Sequence, residues 1–187
     1  SSYYINGERE GLYKGWWENG QNGALILFKN GKSHGLWQQW YENGEKYVEF
    51  NYKNGIQEGL NQLWYRNGQQ SIKCNKKDGL YDGLYQCWYE NGQKHYETYY
   101  VADNIEGLYQ AWWENGEISK ESNFKDGVLH GLYKDWYRNG QLFTICSFKN
   151  GKKDGDCKEW DENGRLLLHC IYSNGIETQI LEGSLDI

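Results

Sequence analysis

The chain contains no proline and no methionine among its 187 residues. Without Pro no bend can rest on a preset φ, so turns must come from Gly, Asn and Asp, which reach positive φ readily. Aliphatic side chains are scarce too: 38% of residues are hydrophobic even with Trp, Tyr and Cys counted, and aromatic residues alone make up 17%. So few aliphatic groups cannot fill a thick interior, and a thin architecture fits better than a globule. No apolar run approaches the roughly 18 to 20 residues of a membrane-spanning helix. The start, Ser1-Ser2-Tyr3-Tyr4, lacks the basic and apolar regions of a signal peptide, although the absence of an initial Met leaves a processed leader open. The expected setting is the cytoplasm.

A surplus of positive charge is also missing. The 26 acidic and 20 basic residues give a net charge of −6, spread along the whole chain. This balance disfavours nucleic acid and anionic membrane surfaces and leaves a protein as the expected partner. The five cysteines, Cys74, Cys87, Cys146, Cys157 and Cys170, are odd in number and form no Cys-x-x-Cys. They signal neither a disulfide framework nor a zinc site and read as free thiols in a reducing compartment. Cys74/Cys87 and Cys146/Cys157 differ by two residues in register, so at most one of these pairs is directly opposed across strands.

What the chain does have is a repeat. A block of ten residues, Gly-Leu-Tyr-x-x-Trp-(Tyr/Trp)-x-Asn-Gly, begins at Gly11, Gly35, Gly59, Gly83, Gly107, Gly131 and Gly155, always 24 residues apart. Its clearest copy is Gly83-Leu84-Tyr85-Gln86-Cys87-Trp88-Tyr89-Glu90-Asn91-Gly92. Between copies lies a second turn signal, aromatic-Lys-(Asn/Asp)-Gly, as in Phe28-Lys29-Asn30-Gly31 and Phe124-Lys125-Asp126-Gly127. Two turns per unit predict two antiparallel strands of about six to eight residues each, hence about fourteen strands. The expected fold is all-β: an elongated, single-layer, twisted antiparallel sheet of tandem β-hairpins in seven 24-residue units. Residues 1–10 read as a partial leading repeat, 11–178 as the repeat domain and 179–187 as a C-terminal tail. From Ile176 on, the repeat stops, and the segment is expected either to cover the last strand or to be disordered. Asp156, Cys157 and Asp161 make the last unit polar, as a terminal cap requires.

If Asn19-Gly20 forms a two-residue turn, Trp16 faces Gly23 and Tyr13 faces Ile26. One face then collects Tyr13, Trp17, Ile26 and Phe28, and the other carries the Leu12 and Trp16 columns among polar residues. A loop one residue longer would exchange the faces of the second strand.

Several columns invite a functional reading. Trp16, Trp40, Trp64, Trp88, Trp112, Trp136 and Trp160 occur in every copy and read as the structural core of the repeat. Trp17, Trp37 and Trp113 depart from the repeat average and are the candidate partner-binding residues. Glu10, His34, Glu58, Asp82, Glu106, His130 and Asp154 could suggest a metal ladder. A spacing of about 9.6 Å between equivalent strands is too great for neighbours to share an ion, so they read as solvated turn residues, and no metal or cofactor is expected. His95 and His169 have no Ser, Cys or Asp partner at catalytic spacing, and Asp82 and Glu90 have no evident pocket. No enzyme is indicated. Lys29, Lys53, Lys77, Lys125 and Lys149 form a basic margin, whereas Glu18, Glu42, Glu90, Glu114 and Glu162 form an acidic one, interrupted by Arg66 and Arg138.

Blocks such as Trp40-Tyr41-Glu42-Asn43-Gly44, followed by Tyr52-Lys53-Asn54-Gly55 and the closing Glu58-Gly59, resemble the MORN-repeat variant. That variant occurs in bacterial antitoxin-like proteins and in multi-copy proteins of some large DNA viruses. The resemblance spans residues 3 to about 175. It implies an extended β-sheet used for protein contacts or assembly, sometimes for membrane association or for neutralising a toxin. The leading expectation is a non-catalytic scaffold for protein binding or assembly, antitoxin- or immunity-like in one version, with room for edge-to-edge self-association. The alternative is a small-ligand module whose aromatic clefts hold a carbohydrate or a choline-like cation, since choline-binding repeats are also short aromatic hairpins.

Overall fold

The computed structural model describes residues 3–183 and contains seventeen strands in one antiparallel sheet, with no helix among the described residues. The chain forms two compact units, one of residues up to 93 with 100–103, the other of 94–99 with 104 onward. In the first lie β1 (Tyr3–Ile5), β2 (Glu8–Trp16), β3 (Asn22–Lys29), β4 (Lys32–Trp40), β5 (Lys46–Lys53), β6 (Ile56–Gln57), β7 (Gly59–Trp64), β8 (Gln70–Lys77) and β9 (Leu80–Trp88). β10 (Lys94–Val101) has residues in both. The second holds β11 (Asn104–Trp112), β12 (Ile118–Lys125), β13 (Val128–Trp136), β14 (Leu142–Lys149), β15 (Lys152–Trp160), β16 (Leu166–Ser173) and β17 (Ile176–Gly183). The fourteen strands expected from the repeat become seventeen because the leading hairpin adds β1, the strand around Glu58 is split into β6 and β7, and the segment after Asn174-Gly175 forms β17 on β16. β17 runs unbroken through residues 176–183, across the expected boundary between repeat domain and tail, while residues 184–187 lie outside the described ones.

The two turns of each hairpin differ in kind. At the second turn both central residues have positive φ, 49° at Asn30 and 71° at Gly31, and Lys29 opposes Lys32. This is a two-residue turn of the type that suits strand twist. The first turn is not. Trp17 N–H donates to Gln21 O at 2.8 Å and Gly20 N–H to Trp17 O at 2.9 Å, and only Gly20 (φ 86°) has positive φ. The loop is therefore Glu18-Asn19-Gly20, three residues with Gly in the left-handed position, and the expected two-residue turn is corrected. Trp16 accordingly faces Asn22, not Gly23. The longer loop would have exchanged the faces of the next strand, but a bulge between Gly15 and Trp16 absorbs one residue and restores Tyr13 opposite Ile26. The same shift follows each first turn with a printed register, as at Gln39/Trp40 and Asp135/Trp136.

Because the parity is restored, one face carries the core as a central row. In the first unit Tyr13 opposes Ile26, Ile26 opposes Trp37, Trp37 opposes Phe50, and Asn61, Cys74 and Tyr85 continue in the same manner. In the second the row runs Tyr109, Ser122, Tyr133, Cys146, Cys157, Cys170. The most buried side chains sit here, among them Asn61, Thr98, Ser122, Cys157 and Cys170. The row mixes rings and small residues without strict alternation: Trp37 opposes Phe50, whereas Cys146, Cys157 and Cys170 follow one another. Tyr85 meets Tyr81 and Tyr100 edge-on at centroid distances of 5.2 and 5.7 Å.

Candidate binding surface

The row that makes the core is not the Trp column. Trp16 is 56% exposed, and Trp40, Trp64, Trp88, Trp112, Trp136 and Trp160 are half-buried. These rings lie beside the first turn, where lysines from the strand before cover two of them: Lys46 of β5 over Trp64 at 5.0 Å and Lys94 of β10 over Trp112 at 5.1 Å. Their backbone carbonyls are what the neighbouring repeats use. Tyr41 Oη donates to Trp64 O at 2.9 Å, Tyr65 Oη to Trp88 O at 2.7 Å, and Tyr137 Oη to Trp160 O at 3.0 Å. Burial raises the Tyr65 and Tyr41 phenols, so they stay protonated as donors.

The turn asparagines supply a second set of rungs. Asn67 Oδ1 accepts from Gln69 N–H at 3.0 Å, fixing its own loop, while Nδ2 donates to Glu90 O of the next repeat at 2.8 Å. Asn19, Asn43 and Asn139 do the same. A third set comes from the acidic column. Glu10 accepts from Asn30 N–H, Glu58 from Asp78 N–H and Glu106 from Asp126 N–H, each at 2.8 Å. Those residues are thus more than solvated: they cap the following turn, and Asp82, weighed above as half of a carboxylate pair, caps Ala102 N–H at 3.4 Å. Among the described residues no group of three or more His, Cys, Asp or Glu side chains comes together to hold a metal.

The three non-average tryptophans have different fates. Trp17 is 41% exposed and donates Nε1–H to Trp40 O at 3.0 Å, the same rung that tyrosine makes elsewhere. Trp37 is half-buried in the central row against Tyr52, at a centroid distance of 5.4 Å, with its Nε1 buried and unpartnered. Trp113 carries the Arg138 guanidinium over its ring at 5.1 Å, and its Nε1 is also buried without an acceptor. It lines a cleft of about 470 Å³ with Trp136, Tyr137, Phe143 and Ser119.

Family profiles of the MORN repeat variant match residues 33–54, 81–102, 105–126, 129–150 and 153–174, more than half of the chain. The chain belongs to the MORN repeat variant family. Its MORN hairpins that hold Trp16 and Trp64 lie outside the matched stretches but keep the same Gly-closed first turn, at Gly20 and Gly68. No curated protein matches the chain.

Two readings of the cysteines and histidines change. Cys146 and Cys157 are directly opposed on β14 and β15 and joined in a disulfide, Cα atoms 4.0 Å apart, so they are not free thiols. Cys74, Cys87 and Cys170 form no disulfide, and Cys74 opposes Tyr85 instead of Cys87. The reducing compartment inferred from five free thiols loses that support. His169 does have an acidic partner: its Nε2 lies 2.8 Å from Asp156 Oδ1, and this hydrogen bond holds the Asp156 carboxyl below its ordinary range. The pair escaped sequence reading because it lies diagonally across β15 and β16. Among the described residues no helix is long and apolar enough to cross a membrane.

The face opposite the core presents one regular apolar feature. Leu12, Leu36, Leu60 and Leu84 in the first unit, and Leu108 and Leu132 in the second, are each between 36% and 46% exposed. In the last repeat Asp156 takes this position.

Proposed function

We propose that this MORN-type array is a non-catalytic scaffold that binds another protein through its leucine column. The observation that carries the reading is that a large aliphatic residue recurs half-exposed in six successive repeats, on the face that the core does not use. Exposed apolar side chains in a regular row exceed the scattered ones of an ordinary surface and mark an interaction site. The net charge of −6 works against an anionic lipid surface as the occupant. An antitoxin-like or immunity role is one version of this function. Association of copies is another form it can take, supported by Ile176 and Ile180 on β17, which are strongly exposed.

The test is affinity capture from the native source with the parent chain and with a Leu60→Glu/Leu84→Glu variant. A protein retained in stoichiometric amount by the parent and lost by the variant supports the reading. Retention of the same proteins by both, or recovery of the free chain alone, counts against it.

A further inference from the structure

The cleft beside Trp113 has no leucine of the exposed column in its lining and shares one rung residue, Tyr137, with the contacts between repeats. It opens for a reason visible in the repeat. In two hairpins the second aromatic of the block packs on a ring six residues on: Tyr41 on Tyr47 at 4.8 Å and Tyr137 on Phe143 at 5.1 Å. In the hairpin of Trp113 that position is Ser119, which leaves the Trp113 edge of the cleft unfilled. The aromatic walls are Trp113, Trp136, Tyr137 and Phe143.

Charge at the rim decides what fits. Lys120 and Arg138 face Asp135 and Glu162, so the formal charges of the lining cancel. Two of these groups are already engaged. Lys120 Nζ donates to Tyr133 Oη at 2.8 Å and lies 3.5 Å from Asp135, while Tyr133 Oη donates to Asp135 at 2.5 Å. Burial alone would lower the Lys120 ammonium, but Tyr133 and Asp135 outweigh it and raise it, so it stays charged. Arg138 and Glu162 are exposed at the mouth, one offering donors in a planar fork and the other acceptors. A quaternary ammonium would meet the Arg138 guanidinium already on the Trp113 ring and the Lys120 charge. An anion would meet two carboxylates.

We propose that this cleft is a binding subsite for a neutral saccharide ring, whose apolar face lies on Trp136 and Phe143 and whose hydroxyls bond to Arg138 and Glu162. A cleft of about 470 Å³ falls within the range of small-ligand sites. A ring with one apolar face and a polar edge matches an aromatic floor with donors and acceptors confined to the rim. One ring in a half-open cleft should bind with about millimolar affinity.

The test is titration of the full chain with maltose, cellobiose and chitobiose, and separately with choline and with acetate, followed by Trp fluorescence and calorimetry. Ser119→Phe fills the cleft with the residue that the repeat itself uses at Phe143, so the hairpin keeps its packing. Ser71→Phe makes the same change at the equivalent position of another hairpin, away from the cleft. The proposal expects a saturable response to at least one disaccharide, weakened about tenfold or more by Ser119→Phe and unchanged by Ser71→Phe, with melting curves like the parent for both. No response to any of the three sugars overturns it, as does a response that survives Ser119→Phe or a stronger response to choline or acetate.

Discussion

Tyr85 and Trp88 lie three residues apart on β9 and test where the repeat keeps its core. Tyr85 is 8% exposed in the central row, edge-on to Tyr81 and Tyr100. A buried Tyr removes about 150 to 250 Å² from water, worth about 4 to 6 kcal/mol as an upper bound at 25 cal/mol per Å². Aromatic-to-Ala truncations in cores cost about 3 to 5 kcal/mol, which we take for Tyr85→Ala. Trp88 is half-buried, and the carbonyl that receives Tyr65 Oη belongs to the backbone and survives truncation. Trp88→Ala should therefore cost about half as much, roughly 1.5 to 2.5 kcal/mol. At about 2 to 4 °C per kcal/mol for a chain of this size, Tyr85→Ala should melt about 3 to 10 °C below Trp88→Ala. Thermal unfolding followed by circular dichroism measures both. A Trp88→Ala variant that melts lower than Tyr85→Ala would show that the invariant Trp column, and not the central row, holds the sheet together.

Asn67→Ala removes both the bond that closes its own loop and the rung to Glu90 O, and should cost about 1 to 2 kcal/mol in chemical denaturation; no change would mean that the turn asparagines do not couple repeats. Gly59 has φ +83° and no atom within 4 Å of an added Cβ, so Gly59→Ala meets only backbone strain. It should lose about 0.5 to 1.5 kcal/mol after the gain from a stiffer unfolded chain, and a stabilised variant would contradict the left-handed geometry. Burial pushes the Cys74 thiol up to about 11. Its thiolate at pH 8 should be about a hundredfold rarer than that of a thiol at the ordinary value, and alkylation followed by mass spectrometry should find it protected in the native chain until the pH approaches that value. Rapid labelling at pH 8 would place Cys74 outside the core.

Much of this was legible in the residues. Asn-Gly and Asp-Gly pairs mark the hairpin turns except that between β10 and β11, where Ala102-Asp103 takes the positive-φ positions, and the pairing of Tyr13 with Ile26 gives the two faces correctly. The first turn was not legible, because Asn-Gly serves a two-residue loop and a three-residue loop equally well, and the compensating bulge at Gly15/Trp16 leaves no composition signal. The core row escaped for a different reason. Ile26, Phe50, Cys74, Thr98, Ser122 and Cys146 share one position but neither one chemistry nor one size, so no residue type marks it. The Trp column, chemically uniform, drew the eye to a place where the backbone carbonyl carries the repeat contact. The Trp113 cleft is lined by Ser119 at a position where Tyr47 and Phe143 carry rings in other hairpins, and Ser71 shows that a serine there does not by itself mark a site.

The leucine column is the proposed seat of a protein partner. Its most direct test is the dissociation constant of the captured protein for the parent and for Leu84→Glu, measured alongside melting curves. Leu84 is 42% exposed, so its replacement should leave the melting temperature within about 2 °C of the parent. Binding should weaken about a hundredfold, as for a charge forced into an apolar contact. An unchanged dissociation constant, with the fold intact, would contradict the claim.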